Sequence, residues 1–381
     1  EVLNRYAAAS DHITWEQADV NLNPTMLTRF QGTTDNPLTN DSLVVSCAAT
    51  DRYKILSPDS FVSLSLNYES GGYEVGGLTY EQEITSAISY VTQDTIPRVM
   101  VLQGHGELDA NATAVLEDFL SGNNFEVRYF ELSDTDVTLE PTDLLMILSP
   151  QRDFMDTELK TLTDFAAAGG SMFITCDYSD NVENMPNYQS LLRSYGFQPL
   201  NGIVVASTEE SGTYYDEYPI LLLPYMQRSA ATLQLVEGNS DTLLLAGSRA
   251  FAQPEEGDNN LTTQVVLSSG YKAYLRDLSD GSDSIAQQDD DQVGPFALAL
   301  LSQRVTTAGN VSKAFVLGCS TVLTDSQVYV MTDAQEFILT LCTYLSGEKP
   351  VQLGIMAKTA LRPALSTASL VPGVMLVVAA P

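Results

Sequence analysis

One histidine and one glutamate, each preceded by a glycine, close an apolar run: Val99-Met100-Val101-Leu102-Gln103 leads into Gly104-His105-Gly106-Glu107. An imidazole two residues from a carboxylate can move a proton, hold a ligand or fix a chain corner. The chain has only two histidines, His12 and His105, so imidazole chemistry has no other source. Nucleophilic catalysis would also need a cysteine or serine on a sharp strand-to-helix elbow, where small residues let the backbone turn. Cys176, in "SMFITCDYSDN", has no closely flanking glycine. Cys319 follows Gly318 but has no histidine near it in sequence. Ser149 in "ILSPQR" and Ser320 in "GCSTV" lack the Gly-x-Ser-x-Gly spacing. A pair assembled in space from His105 and Cys176, or His105 acting with Glu107, is the catalytic reading left open.

Metal and nucleotide chemistry have thinner support. His105, Glu107 and Asp177 offer one imidazole and two carboxylates, a weak set for a transition metal. The run Asp289-Asp290-Asp291 lacks the spaced Asp/Asn/Gly pattern of a calcium loop and reads as a solvated loop. No Gly-x-x-x-x-Gly-Lys-Ser/Thr occurs, so ATP hydrolysis would belong to another chain. Cys47, Cys176, Cys319 and Cys342 form no CxxC pair, lie in apolar stretches and read as buried free thiols. No cofactor is implied.

The elements that must position these residues follow a regular alternation. "RVMVLQ" is a short apolar strand. "LDANATAVLEDFLSGN" carries Ala112, Val115, Leu116, Phe119 and Leu120 at helical spacing. "FEVRYFEL" alternates like a strand, and "DLLMILSP" is an apolar run closed by Pro150. "MDTELKTLTDFAAAGG" is a helix with Asp156 or Thr157 as cap and Gly169-Gly170 as stop, and "SMFITCD" is again a strand. Continuous apolar strands separated by helices predict a buried parallel sheet with helices on both faces. The pattern continues through "NYQSLLRSYGF", "GIVVAS", "DTLLLAGS" and "TTQVVLSS". It closes on "GPFALALLSQRV", "KAFVLGCS" and the helix "DAQEFILTLCTYLSG". In such a sheet ligands gather beyond the carboxyl ends of the strands. Gly104, His105, Gly106, Glu107, Gln151, Arg152 and Asp177 would then share one crevice. The favoured role for His105 and Glu107 is structural, fixing the corner. Ligand or partner binding comes next, and catalysis last.

The first 94 residues read as a smaller α/β domain: helix "EVLNRYAAAS", strand "HITWEQADV", a hairpin from "SLVVSCA" and "RYKILSP", a Gly/Ser-rich loop "SLNYESGGYEVGGL" and a helix "TYEQEITSAISYVTQ". Residues 95–350 form the larger domain, and 351–381 a linker. Residues 277–295 read as an acidic, exposed mobile loop. The 18 basic and 49 acidic residues give a formal charge of −31, which repels phosphate backbones and anionic membrane surfaces alike. Nucleic acid is therefore a poor candidate partner, and none is expected.

With these motifs in place, "YEQEITSAISYVTQDTIPRVMVLQGHGE" resembles the signature region of auxiliary proteins of uncharacterised ABC transport systems, the gliding-motility type among them. Three further stretches agree in order: "LNRYAAASDHITWEQADVNLNP", "LLMILSPQRDFMDTELKTLTDFAAAGGSMFITCD" and "FVLGCSTVLTDS" with "AQEFILTLCTYLSGE". The resemblance implies a large domain similar to the class I glutamine amidotransferase fold, a flavodoxin-like sandwich, after a thioredoxin-like small domain. It also implies a membrane-anchored, extracytoplasmic (extracellular or periplasmic) region that accompanies an ABC permease and ATPase. The amidotransferase-like or hydrolase-type enzyme is the alternative, weakened by the missing elbow. The chain starts at Glu1 and ends on the apolar run "LVPGVMLVVAAP", too short to span a bilayer. That run reads either as a frayed tail or as the opening of a transmembrane helix, and the resemblance favours the second.

Overall fold

The computed structural model describes residues 2–19, 22, 24–32, 37–39, 41–67, 72–93, 95–253, 260–278, 284–347 and 374–380. It is a mixed α/β structure that divides into two compact units, Glu1–Ile96 with Val351–Pro381, and Pro97–Pro350.

The smaller unit contains α1 (Val2–Ala9), β1 (Ile13–Asp19), α2 (Pro24–Arg29), β2 (Leu43–Cys47), β3 (Arg52–Leu56), β4 (Val62–Asn67), β5 (Gly72–Leu78) and α3 (Tyr80–Thr92). Helix α3 forms where Ile84, Ala87, Ile88 and Val91 recur on one face, and that face is buried. It packs with Tyr6, Leu43, Val45 and Leu56 into one cluster. The segment read as a Gly/Ser-rich loop carries two antiparallel strands instead, β4 and β5. Its glycines hid an alternation, Tyr73 and Val75 between polar or glycine neighbours, that suits a strand. Of the stretch read as a linker, residues 351–373 lie outside the described residues. Residues Val374–Ala380 form a strand between β1 and β2, parallel to the first and antiparallel to the second.

The larger unit starts with β6 (Arg98–Gln103), α4 (Ala114–Gly122), β7 (Glu126–Glu131), β8 (Leu144–Leu148), α5 (Asp156–Ala167), β9 (Ser171–Thr175) and α6 (Pro186–Ser194). Shorter elements follow: β10 (Ile203–Val205), β11 (Tyr214–Tyr215), β12 (Tyr218–Leu222), β13 (Tyr225–Met226), α7 (Leu233–Gly238) and β14 (Leu245–Ala246). The last group is β15 (Leu261–Ser268), β16 (Tyr274–Arg276), β17 (Gln292–Val293), β18 (Ala297–Val305), β19 (Val311–Leu317), α8 (Thr321–Thr324), α9 (Ser326–Met331) and α10 (Ala334–Ser346). Eight strands form one sheet in the order β13-β15-β18-β19-β9-β8-β6-β7. β7, β6, β8, β9 and β19 pair in parallel, and β18, β15 and β13 add antiparallel partners on one side.

The central strands β6, β8, β9 and β19 are largely apolar because both faces of the sheet are covered. Val99, Val101, Leu144, Met146, Leu148, Phe173, Phe315 and Leu317 join one cluster with Leu116 and Leu120 of α4 and Phe337, Ile338 and Leu341 of α10. The alternate residues Met100, Leu102, Leu145, Ile147, Met172, Ile174, Ala314 and Val316 join another, with Leu162 and Phe165 of α5 and Tyr188, Leu191 and Leu192 of α6. This is the period-two geometry of strands buried between two helical layers.

Some boundaries differ from the sequence reading. Helix α4 starts at Ala114, after turns, because the Asp109 carboxylate takes the amides of Asn111 and Ala112 before the helix begins. The N-cap of α5 is Met155, not Asp156 or Thr157. "DTLLLAGS" contributes only the two-residue β14. In the acidic insert, β17 pairs with β16 and Asp291 lies 3.6 Å from the Arg276 guanidinium; residues 279–283 lie outside the described residues. All four cysteines are free and buried.

Candidate functional site

The loops after β6, β8, β9 and β19 meet at the carboxyl edge of the parallel strands. Gly104 and Gly106 have φ of 108° and 79°, a region that side chains rarely enter. A Cβ on Gly106 would also stand 3.1 Å from the Gln151 Cβ. The two glycines therefore let the chain reverse against the β8 loop. The His105 carbonyl accepts from the backbone amides of both Gln151 and Arg152, each at 2.9 Å. The Arg152 guanidinium donates to the Gly104 carbonyl at 2.7 Å.

His105 lies between two carboxylates. Its Nδ1 is 3.0 Å from Glu107 Oε1, and its Nε2 is 3.0 Å from Glu158 Oε2. Glu107 Oε2 also accepts the His105 backbone amide at 2.6 Å. His105 and Glu107 are only 7% and 8% exposed, so these contacts are shielded from water. An ionised carboxylate only accepts, so the two contacts together favour a proton on each ring nitrogen. Its pKa is accordingly raised, first by Glu107 and then by Glu158, against the opposing effect of burial. The ring edge packs on Phe154 at a centroid distance of 4.8 Å. Glu158 was not anticipated. It stands in the first turn of α5, where Oε2 also accepts the Met155 amide at 2.7 Å and so caps the helix. The spacing of an acid three residues after the helix start was the available signal.

Asp177 is in the same network but does not touch His105. It accepts the Ser320 amide at 2.6 Å and the Ser320 hydroxyl. The link to the GHGE turn runs through Asp180, which accepts Gln151 Nε2 at 2.8 Å and the Asp177 amide at 2.7 Å. Burial, reinforced by the neighbouring Asp177 charge, pushes the Asp180 carboxyl up to about 6. Burial raises Asp177 too. Arg249, 2% exposed, is a second residue that sequence reasoning missed. Its guanidinium donates to the carbonyls of Asp177, Tyr178, Asp180 and Leu200, holding the loop after β9 in shape. No local motif surrounds it, so only the folded chain shows its partners.

The nucleophile candidates are turned inward. Cys176 is fully buried, and burial pushes its thiol up to about 12. Cys319 is 1% exposed, and burial pushes it up to about 11. Both ring nitrogens of His105 are already occupied by carboxylates, which leaves neither for Cys176. Ser149 has φ of 51°, the left-handed backbone expected of an elbow, although no glycine spacing announces it. Its hydroxyl is buried, 3.1 Å from Thr175 Oγ1. Among the described residues no group of three or more His, Cys, Asp or Glu side chains is placed to hold a metal ion.

Residues 96–307 match the family described as ABC-type uncharacterized transport system. The chain belongs to this family. It is thus an auxiliary component of an ABC-type system, with a role associated with transport. No curated protein matches the chain. Among solved structures, the mmIFT52 N-terminal domain is similar at 14% identity, with 65% of this chain and 97% of that chain covered and a TM-score of 0.46. The exo-beta-1,4-mannosidase Op5Man5 from Opitutaceae bacterium strain TAV5 is similar at 10% identity, with 66% of this chain and 35% of that chain covered and a TM-score of 0.32. At these scores neither likeness carries an argument about function. Among the described residues, no helix of this auxiliary protein is long and apolar enough to cross a membrane.

Proposed function

We propose that this chain is a non-catalytic, extracytoplasmic binding region of a membrane-anchored auxiliary subunit, and that it works beside the permease and ATPase of its own ABC system. The GHGE turn is a structural lock in this reading. Gly104, His105, Gly106, Glu107, Gln151, Arg152 and Asp177 hold the strand-end loops in one shape for partner contact. The observation that carries the reading is the occupancy of both His105 ring nitrogens by carboxylates, buried Glu107 and half-buried Glu158, which removes the base that a catalytic reading needs. The strand order 2-1-3-4-5 among the parallel strands β6, β7, β8, β9 and β19 supports a flavodoxin-like, and hence amidotransferase-like, large domain. The thioredoxin-like description of the smaller unit and the membrane anchor rest on the family resemblance.

One feature favours the enzyme alternative, the left-handed Ser149 at the end of a central parallel strand. Its buried hydroxyl and the absence of any imidazole contact among its hydrogen bonds weigh against it. The test is co-purification of the full chain with the permease and ATPase subunits of its system. A stable complex is expected, and no association with either subunit would contradict the reading. Alkylation of the native protein supplies the second arm: rapid labelling of Cys176 at neutral pH, abolished by His105→Ala, would reinstate the enzyme.

A further inference from the structure

Far from the GHGE corner in sequence, a cleft of about 850 Å³ opens at the β13–β15 edge of the large sheet. It is lined by Tyr225, Gln227, Arg228, Gln253, Gln264 and Tyr271, among others. In a chain with 49 acidic residues, none of the described lining residues is Asp or Glu. We propose that this cleft binds an uncharged oligosaccharide.

The chemistry of the lining selects the ligand class by elimination. Among the described lining residues a cation would find no carboxylate. A polyanion would meet a single guanidinium, Arg228, against a molecular charge of −31. A purely apolar ligand would displace water from the exposed carboxamides and the guanidinium without offering them hydrogen bonds. A neutral, hydroxyl-rich ligand with flat apolar faces fits all of these groups. Tyr225 and Tyr271 are 44% and 70% exposed, so their rings are open to stack on sugar faces. Carboxamides offer a donor and an acceptor side by side, which matches adjacent hydroxyls, and the guanidinium adds a planar fork of donors. Gln227 is already oriented by its Nε2 bond to Ser268 Oγ at 2.9 Å. The volume lies in the usual range for small-molecule sites.

A neutral peptide cannot add to β15 as a further strand, because that edge is already covered. The Gln227 amide donates to the Val266 carbonyl, and the Ala230 amide to Gln264 Oε1, so residues 227–230 already run along the outer side of β15. The site is distinct from the strand-end corner, and its test does not depend on the proposed transport role.

The experiment is saturation-transfer NMR and calorimetric titration of the full chain with maltotriose, cellotriose and triacetylchitotriose, and with a hexapeptide of glycine, serine and glutamine. At least one trisaccharide is expected to bind with a Kd below about 10 mM, the weak end of specific recognition. Tyr271→Ala and Arg228→Ala should each weaken that binding roughly tenfold, as expected for anchor side chains. Both side chains are exposed, so an unchanged melting temperature will show that the variants are folded. Three results would overturn the proposal: no trisaccharide binding, trisaccharide binding that neither substitution affects, or tighter binding of the peptide than of every trisaccharide.

Discussion

His105 is the residue whose surroundings decide between corner and catalyst. Removing its ring takes one hydrogen-bond partner from each of Glu107 and Glu158, so His105→Ala should cost about 1–3 kcal/mol, the scale for lost partners of charged groups. Chemical denaturation at neutral pH measures this. The pH dependence has a definite sign. The folded His105 pKa is raised above that of the unfolded chain, so its stabilisation is full below the unfolded value and is lost as pH rises through the folded one. Asp180, raised to about 6, acts in the same direction, because its folded form holds a proton that the unfolded chain has released. The Asp180 share should therefore fall between about pH 4 and 6, and the His105 share as pH rises above about 6.5. His105→Ala should flatten that fall, and thermal melts across the range would show it. A steeper fall in the variant would contradict the assignment. At this scale the sequence exposed His105 and Glu107, because two glycines mark a turn wherever they occur. Glu158 and Arg249 stayed hidden, since their partners are 53 and up to 72 residues away along the chain.

At the scale of elements, the corner ties the start of α5 to the end of β6. Glu158 does two jobs there, capping α5 through Met155 and holding His105. Glu158→Ala should lose more than a cap alone, which is worth about 0.5–2 kcal/mol. A double-mutant cycle with His105→Ala should give a coupling of about 0.5–3 kcal/mol, and additivity would mean that the two do not act together. Gly106→Ala should destabilise by about 1–3 kcal/mol, since it puts a side chain on a left-handed backbone against Gln151. The parallel strands and their helices were legible because burial on both faces makes each strand a continuous apolar run. The hairpin β4–β5 was not, because glycines in a strand carry the loop signal that the surrounding alternation contradicts. The shifts of one or two residues at the starts of α4 and α5 come from local capping, which composition does not reveal.

For the whole molecule, each unit has its own hydrophobic clusters. Tyr6, Ile13, Val45 and Ile88 anchor the smaller one, and the sheet of β6, β8, β9 and β19 the larger. We therefore propose that the larger unit is an independently folding domain. A fragment of residues 97–347 should unfold cooperatively with a near-native near-ultraviolet spectrum. Non-cooperative melting would contradict this. The acidity of the chain was visible in its composition. The cleft at the β13–β15 edge was not, because its lining residues come from separate segments between positions 225 and 295 that only the fold brings together.

The central claim is that His105 is a buried imidazolium held by two carboxylates. Long-range ¹H–¹⁵N NMR of the ring nitrogens tests it directly, and with only His12 and His105 in the chain the assignment needs one substitution. The account predicts that at pH 7 both nitrogens of His105 are protonated and that the ring titrates above the ordinary histidine value of about 6.5. A neutral His105 ring at pH 7, with one nitrogen bare and a pKa at or below that value, would contradict it.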